Sequence, residues 1–223
     1  MMTWVKICGM TNLEDALVAV EAGADAVGFV FYEKSPRCVT VEKAREIVQK
    51  LPVKVDKIGV FVNEDPTRVS TTADEAGLTA VQFHGDEYKK PEEYVLGGKQ
   101  FFCLPMDEII REMHGRASFF YGLPRFPKDT GVLLDSGNQE QRGGTGRTFA
   151  WGEAHGFVSA LRTFYPVVIA GGLSSSNVGW AVEYLKPWGV DVVSGVEAAP
   201  GKKDPEKVRA FVRAVREMDR RVG

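Results

Sequence analysis

Trp4-Val5-Lys6-Ile7-Cys8-Gly9-Met10-Thr11-Asn12 opens with a short strand-forming run, stops at a glycine and leads directly into a segment of helical period. A strand followed at once by a helix is the building unit of a parallel sheet. In an open dinucleotide-binding sheet, the turn after the first strand carries G-x-G-x-x-G, whose glycines let the backbone approach a pyrophosphate. Here the turn reads Cys8-Gly9-Met10-Thr11-Asn12. The missing glycines favour a closed barrel over the doubly wound sheet.

The same alternation repeats along the chain. Strands are expected near Trp4–Cys8, Ala26–Phe31, Lys57–Val62, Ala80–His84, Gln100–Leu104, Gly131–Asp135, Val167–Ala170 and Asp191–Ser194. Helices of amphipathic period fit between them, over Asn12–Ala22, Val41–Leu51, Pro66–Ala76, Glu87–Leu96, Met106–His114, Trp151–Phe164, Ser175–Leu185 and Pro205–Arg220. Asn12 and Asp65 are N-cap candidates, and Gly23 and Gly77 stand just past helix ends. Eight βα units in 223 residues predict one (β/α)8 barrel domain spanning 1–223. Gly115–Thr130, rich in aromatics, Pro and Arg, has no clear period and is expected to be irregular.

Composition excludes several classes. A formal net charge of −2 leaves little field to attract nucleic acid, and no apolar run approaches a membrane span. The arginines of Val208–Arg216 recur at helical spacing, but Glu206, Glu217 and Asp219 intersperse them, so this stretch reads as a solvated helix face. Cys8, Cys38 and Cys103 are an odd number at wide spacings, with no zinc or disulfide pattern. Met1–Cys8 lacks the apolar core of a signal peptide, and a reducing cytoplasm is the expected location.

In a barrel of this kind, chemistry gathers where the strands end. Strand one ends in Cys8, strand two leads to Lys34-Ser35-Pro36-Arg37, strand four ends in Gln82-Phe83-His84-Gly85, and strand six ends in Asp135. Lys6 and Cys8 share one strand face, as do Gln82 and His84. If those faces point inward, the charge of Lys6 favours the thiolate of Cys8, the form that acts as base or nucleophile. Asp135 closes an apolar run and needs a partner or a cleft. Cys38, Cys103, His114 and His155 are read as structural.

Two glycine turns suggest an anion seat. Gly171-Gly172 follows strand seven and Ser194-Gly195 follows strand eight, the pair of loops where barrels frequently hold phosphate. Glycine lets N–H groups converge there, and a short helix after Gly195 is expected to add its dipole. Gly143-Gly144-Thr145-Gly146 reads as a mobile lid.

These motifs together resemble the phosphoribosylanthranilate isomerase family over nearly the whole chain. The matching stretches include Val5–Thr11, Gly28–Phe31 with Ser35-Pro36-Arg37, Gly59–Asn63, Val81–Gly85, Leu133–Ser136, Gly143–Phe149, Asp191–Glu197 and Pro200–Asp204. The resemblance implies a cofactor-free, metal-free Amadori rearrangement in tryptophan biosynthesis. It implies that Cys8 is the general base, Asp135 the general acid, and Arg37 the partner of the anthranilate carboxylate. By the same resemblance Gly171, Gly172, Ser194 and Gly195 hold the phosphate, Asp191 touches sugar hydroxyls and His84 belongs to the substrate site. The implied partner is the small phosphorylated sugar–anthranilate substrate, taken by a monomer or homodimer without nucleic acid or membrane. Phe149-Ala150-Trp151 departs from the family pattern, which places an acidic or amide residue before the tryptophan.

Two other readings share the phosphate loops. A related barrel enzyme, such as a pentose-phosphate epimerase or indole-glycerol-phosphate synthase, differs in its chemistry; the epimerase needs His and Asp metal ligands, and the three histidines are poorly spaced for that. A non-catalytic phosphate sensor has no need of Cys8 and Asp135.

Overall fold

The computed structural model describes residues 2–94, 97–113, 125–127, 129–136 and 148–222. The Gly143–Gly146 loop, His114 and most of Gly115–Thr130 lie outside the described residues. Eight parallel strands form a closed barrel in chain order: β1 Trp4–Cys8, β2 Ala26–Val30, β3 Asp56–Phe61, β4 Ala80–Phe83, β5 Lys99–Pro105, β6 Thr130–Asp135, β7 Val167–Ile169 and β8 Gly189–Val192. β8 returns to pair with β1, setting Lys6 beside Asp191, while Cys8 pairs with Gly28 of β2.

Helices α1 Leu13–Ala22, α2 Val41–Val48, α3 Pro66–Ala76, α4 Met106–Met113, α5 Trp151–Leu161, α6 Val178–Leu185 and α7 Pro205–Val222 pack outside. The expected caps are present. Asn12 accepts the amide of Asp15 at 2.9 Å, and Asp65 accepts from Thr67 and Arg68. Gly23 and Gly77 take φ of 96° and 71°, the left-handed geometry that closes a helix without a Cβ clash. α5 starts at Ala150 with no side-chain cap, so the departure noted at Phe149-Ala150-Trp151 costs that helix its usual cap.

The helix expected over Glu87–Leu96 is replaced by two 3-10 turns, Asp86–Lys89 and Pro91–Tyr94. Pro91 is the cause: in a helix interior it would lack a donor and clash with the preceding turn. The helix expected from Ser175 begins at Val178, because Asn177 is occupied with the preceding loop.

Apolar residues fill two zones. Val, Ile, Leu and Phe side chains on the outward strand faces pack against the helices. Inside the barrel, Ala26, Ile58, Ala80, Phe101, Leu133 and Val168 form a smaller core. Trp4 closes its floor, stacked on Trp188 at 5.0 Å and on Phe101 at 5.6 Å. α7 buries Val208, Phe211, Val212 and Val215 and turns Arg209 and Arg213 to solvent, as the charge pattern implied, but Arg216 is not part of that solvated face: it pairs with Asp25 and donates to the Gly23 carbonyl. The helix is tied to β1 where Asp219 accepts the amide and hydroxyl of Thr3.

Asp65→Ala removes an exposed cap and nothing in the core, so it should lower stability by about 1 kcal/mol. A shifted urea midpoint at unchanged slope is the expected readout.

Candidate active site

Lys6 points into the barrel with 1% exposure. An ammonium so buried is costly unless its protons are all taken. One goes to Asp191 Oδ2 at 3.0 Å and one to Gln82 Oε1 at 2.9 Å, and the neighbouring Cys8 acts on it electrostatically. Gly28 makes the space: a Cβ there would press into the Cys8 sulfur and the Lys6 stem. The expected inward face is therefore real, and it carries charge in place of apolar filler.

Burial alone would lower the Lys6 ammonium, but Asp191 and Cys8 outweigh it and hold the group above its ordinary value. Burial pushes the Cys8 thiol up, against the charges of Lys6 and Lys203, and Asp191 adds to the rise. Lys6 thus acts in the direction read from the sequence, yet desolvation outweighs it and the thiol stays above its ordinary value. Asp191 is likewise raised by burial, opposed by Lys6 and reinforced by Asp135. Its Oδ2 is bonded to Lys6, whereas its buried Oδ1 has no hydrogen-bond partner among the described residues.

Asp135 ends β6 with 7% exposure. It lines one pocket together with Asp191, Gly171, Gly172, Ser194 and Gly195. The acid candidate and the anion seat are therefore contiguous. Asp191 links them to Cys8, since its charge acts on the thiol and it is acted on by Asp135. His84 is half-buried above Gln82, with Nδ1 3.5 Å from Gln82 Nε2 and Nε2 3.8 Å from Cys103 Sγ.

Gly171 and Gly172 have φ of 78° and 62°, and a Cβ on Gly171 would strike Ser136. A Cβ on Gly195 would overlap the carbonyl of Leu173. Both turns require glycine because another backbone passes so close. Asn177, unmarked in the sequence reading, stiffens the first turn by donating to Gly172 O at 2.9 Å and accepting from the Ser174 amide at 2.8 Å. The helix expected after Gly195 is only a 3-10 turn, Ser194–Val196. The chain then enters a hairpin of β9 Glu197–Ala199 and β10 Lys202–Lys203, because Glu197 is drawn back to the barrel.

That pull comes from Arg37. Its Nε and Nη2 donate to the two Glu197 oxygens at 2.8 and 2.7 Å, a bidentate fork. Lys203 Nζ, 1% exposed, donates to Glu197 Oε1 at 3.0 Å. One edge of the Arg37 guanidinium, Nε with Nη2, is thus taken by Glu197. Glu197 and Lys203 sat in quoted motifs, but nothing in their spacing told that they would meet Arg37. Of the remaining candidates, Cys103 is buried, Cys38 is exposed and His155 lies against Tyr184 on the surface.

This is the layout of a (β/α)8-barrel enzyme with its chemistry at the strand C-termini. The family model for N-(5'-phosphoribosyl)anthranilate isomerase matches residues 5–214. The N-(5'-phosphoribosyl)anthranilate isomerase of Pelobacter propionicus is 45% identical over 213 residues, covering 96% of this chain and 95% of that one. A structure of monomers of the dimeric phosphoribosylanthranilate isomerase of Thermotoga maritima superposes with a TM-score of 0.78 at 36% identity, over 97% of this chain and 100% of that one. A phosphoribosylanthranilate isomerase in complex with reduced 1-(o-carboxyphenylamino)-1-deoxyribulose 5-phosphate gives 0.77 at 37% identity, with the same coverage. The chain belongs to the N-(5'-phosphoribosyl)anthranilate isomerase family.

Two measurements check the electrostatics. Lys6→Met should move the thiolate absorbance titration of Cys8 to higher pH, since the cation that opposes the rise is gone; an unmoved curve would refute the coupling. For Glu197, burial alone would raise the carboxyl, but Arg37 and Lys203 outweigh it and hold it below the usual range. A depressed folded value gives stability that is present above the unfolded carboxylate range and lost as pH falls through the folded one. Glu197→Gln should therefore flatten the acid limb of a stability–pH curve.

Proposed function

We propose that Cys8 and Asp135 are the base and acid of the Amadori rearrangement of N-(5'-phosphoribosyl)anthranilate to 1-(2-carboxyphenylamino)-1-deoxyribulose 5-phosphate, the isomerisation that serves tryptophan biosynthesis. The observation that carries this reading is the inward Lys6–Cys8–Asp191 cluster, whose Asp191 lines the pocket shared by Asp135 and the two glycine turns.

Asp135 gives a proton to the furanose ring oxygen, and the C1′–O bond breaks as the anilino nitrogen supplies its electron pair. The resulting iminium acidifies the C2′ proton. Cys8, as thiolate, removes that proton, leaving an enol-amine that becomes the ketone as C1′ gains a proton and the 2′-hydroxyl loses its own to solvent. Lys6 makes the thiolate accessible by opposing the desolvation that favours the thiol. Acid and base standing on different strands of one barrel can address the sugar from two sides.

Backbone N–H groups of Gly171, Gly172, Ser194 and Gly195 hold the phosphate. Asp191 Oδ1, buried and without a hydrogen-bond partner among the described residues, accepts from a sugar hydroxyl. Arg37, with one edge held by Glu197, meets the anthranilate carboxylate with Nη1 and the remaining Nη2 proton. His84 completes the wall beside the sugar. We infer further that one domain over residues 1–223 carries the activity, that the enzyme works as a monomer or homodimer, and that it resides in a reducing cytoplasm, which suits its three unpaired cysteines.

Cys8→Ala and Asp135→Asn should each lower turnover by about 10²-fold or more, the usual contribution of a positioned acid or base. Loss of substrate fluorescence on freshly made phosphoribosylanthranilate reads this directly, and near-wild-type turnover in either variant removes that assignment. Arg37→Ala should act mainly on KM.

A further inference from the structure

An ammonium can only donate hydrogen bonds. Gln82, 2% exposed, must therefore turn its oxygen to Lys6, and the 2.9 Å Nζ–Oε1 contact is that bond. The side-chain amide is thereby locked in one of its two orientations. Its nitrogen, also a donor only, is left facing Nδ1 of His84 at 3.5 Å. Nδ1 must then accept, and a neutral imidazole that accepts at Nδ1 carries its proton on Nε2. Nε2 stands 3.8 Å from the sulfur of Cys103. Burial together with the charges of Asp135 and Asp191 keeps Cys103 protonated, and its sulfur can accept from Nε2–H.

We propose that Gln82 is a positioning residue which, clamped by Lys6, holds His84 as the neutral Nε2–H tautomer at the barrel mouth. This rests on the reading of that mouth as the active site. The consequence is electrostatic: His84 is close enough for its charge to act on Asp191. An imidazolium would compete with Lys6 for that carboxylate, on which the Lys6–Cys8 pairing depends. A ring held neutral leaves Lys6 and Lys203 as the cations that act on Cys8, and gives the substrate a wall of fixed polarity.

The test is long-range 1H–15N NMR of the substrate-free protein at neutral pH. The chain has three histidines, and His84→Asn identifies the ring by its missing signals. The wild type should show Nδ1 as a pyridine-type and Nε2 as a pyrrole-type nitrogen. Gln82→Glu keeps an oxygen for Lys6 but sets a second acceptor against Nδ1, so it should place a proton on Nδ1. Its kcat should fall by about tenfold or more with KM nearly unchanged, the mark of a group acting on the chemical step. A wild-type ring protonated at Nδ1 overturns the proposal without any variant, so a Gln82→Glu that does not fold cannot rescue it. A ring unchanged in Gln82→Glu, or a reversed ring with wild-type kcat, overturns it as well. Because the tautomer is read without turnover, its failure is distinct from failure of the acid–base assignment, which the Cys8→Ala and Asp135→Asn rates decide alone.

Discussion

A single buried ammonium organises the interior of this barrel. Lys6 occupies a position where barrels normally place aliphatic filler, and it is tolerated because Asp191 of β8 and Gln82 of β4 accept from it, with Cys8 two residues along its own strand. Each partner acquires its property from that contact. Cys8 has its desolvation opposed by a cation, Asp191 keeps one oxygen engaged and one available, and Gln82 is fixed in a single orientation. Gly28 is the steric condition for all of it, since any larger side chain would fill the place of the sulfur.

A second buried cation plays the matching part at the rim. Lys203 supports Glu197, and Glu197 aims Arg37, so the proposed recognition of a carboxylate would use a fork already held along one edge. The short β9–β10 hairpin exists to bring Lys203 under Glu197, which explains why the chain abandons a helix after Gly195. Charge pairing settles local secondary structure here against the simpler expectation of a helix dipole at the phosphate turn. The proposed anion seat would then depend on backbone N–H groups, with Asn177 stiffening one of the two turns.

Much of this was legible in the residues. Period-two and period-3.6 patterns located all eight strands and seven of the eight expected helices, and the caps at Asn12, Asp65, Gly23 and Gly77 fell where short polar side chains and glycine are needed. The failure at Glu87–Leu96 came from weighing amphipathic spacing above Pro91, whose missing donor breaks any helix through it. Cys8, Asp135 and the glycine turns were visible because a strand end facing a barrel mouth is a position that spacing alone identifies.

What sequence by itself determined is therefore the order of elements, the closed barrel they imply and the residues presented at the strand ends, since all three follow from local periodicity and from the family motifs. Only the tertiary structure decided the partners: Lys6 with Asp191 lies 185 residues away along the chain, and Arg37 with Glu197 lies 160. Such pairs are set by barrel closure and strand register, and burial then fixes the sign of each pKa shift. Neither is encoded in the neighbourhood of any one residue.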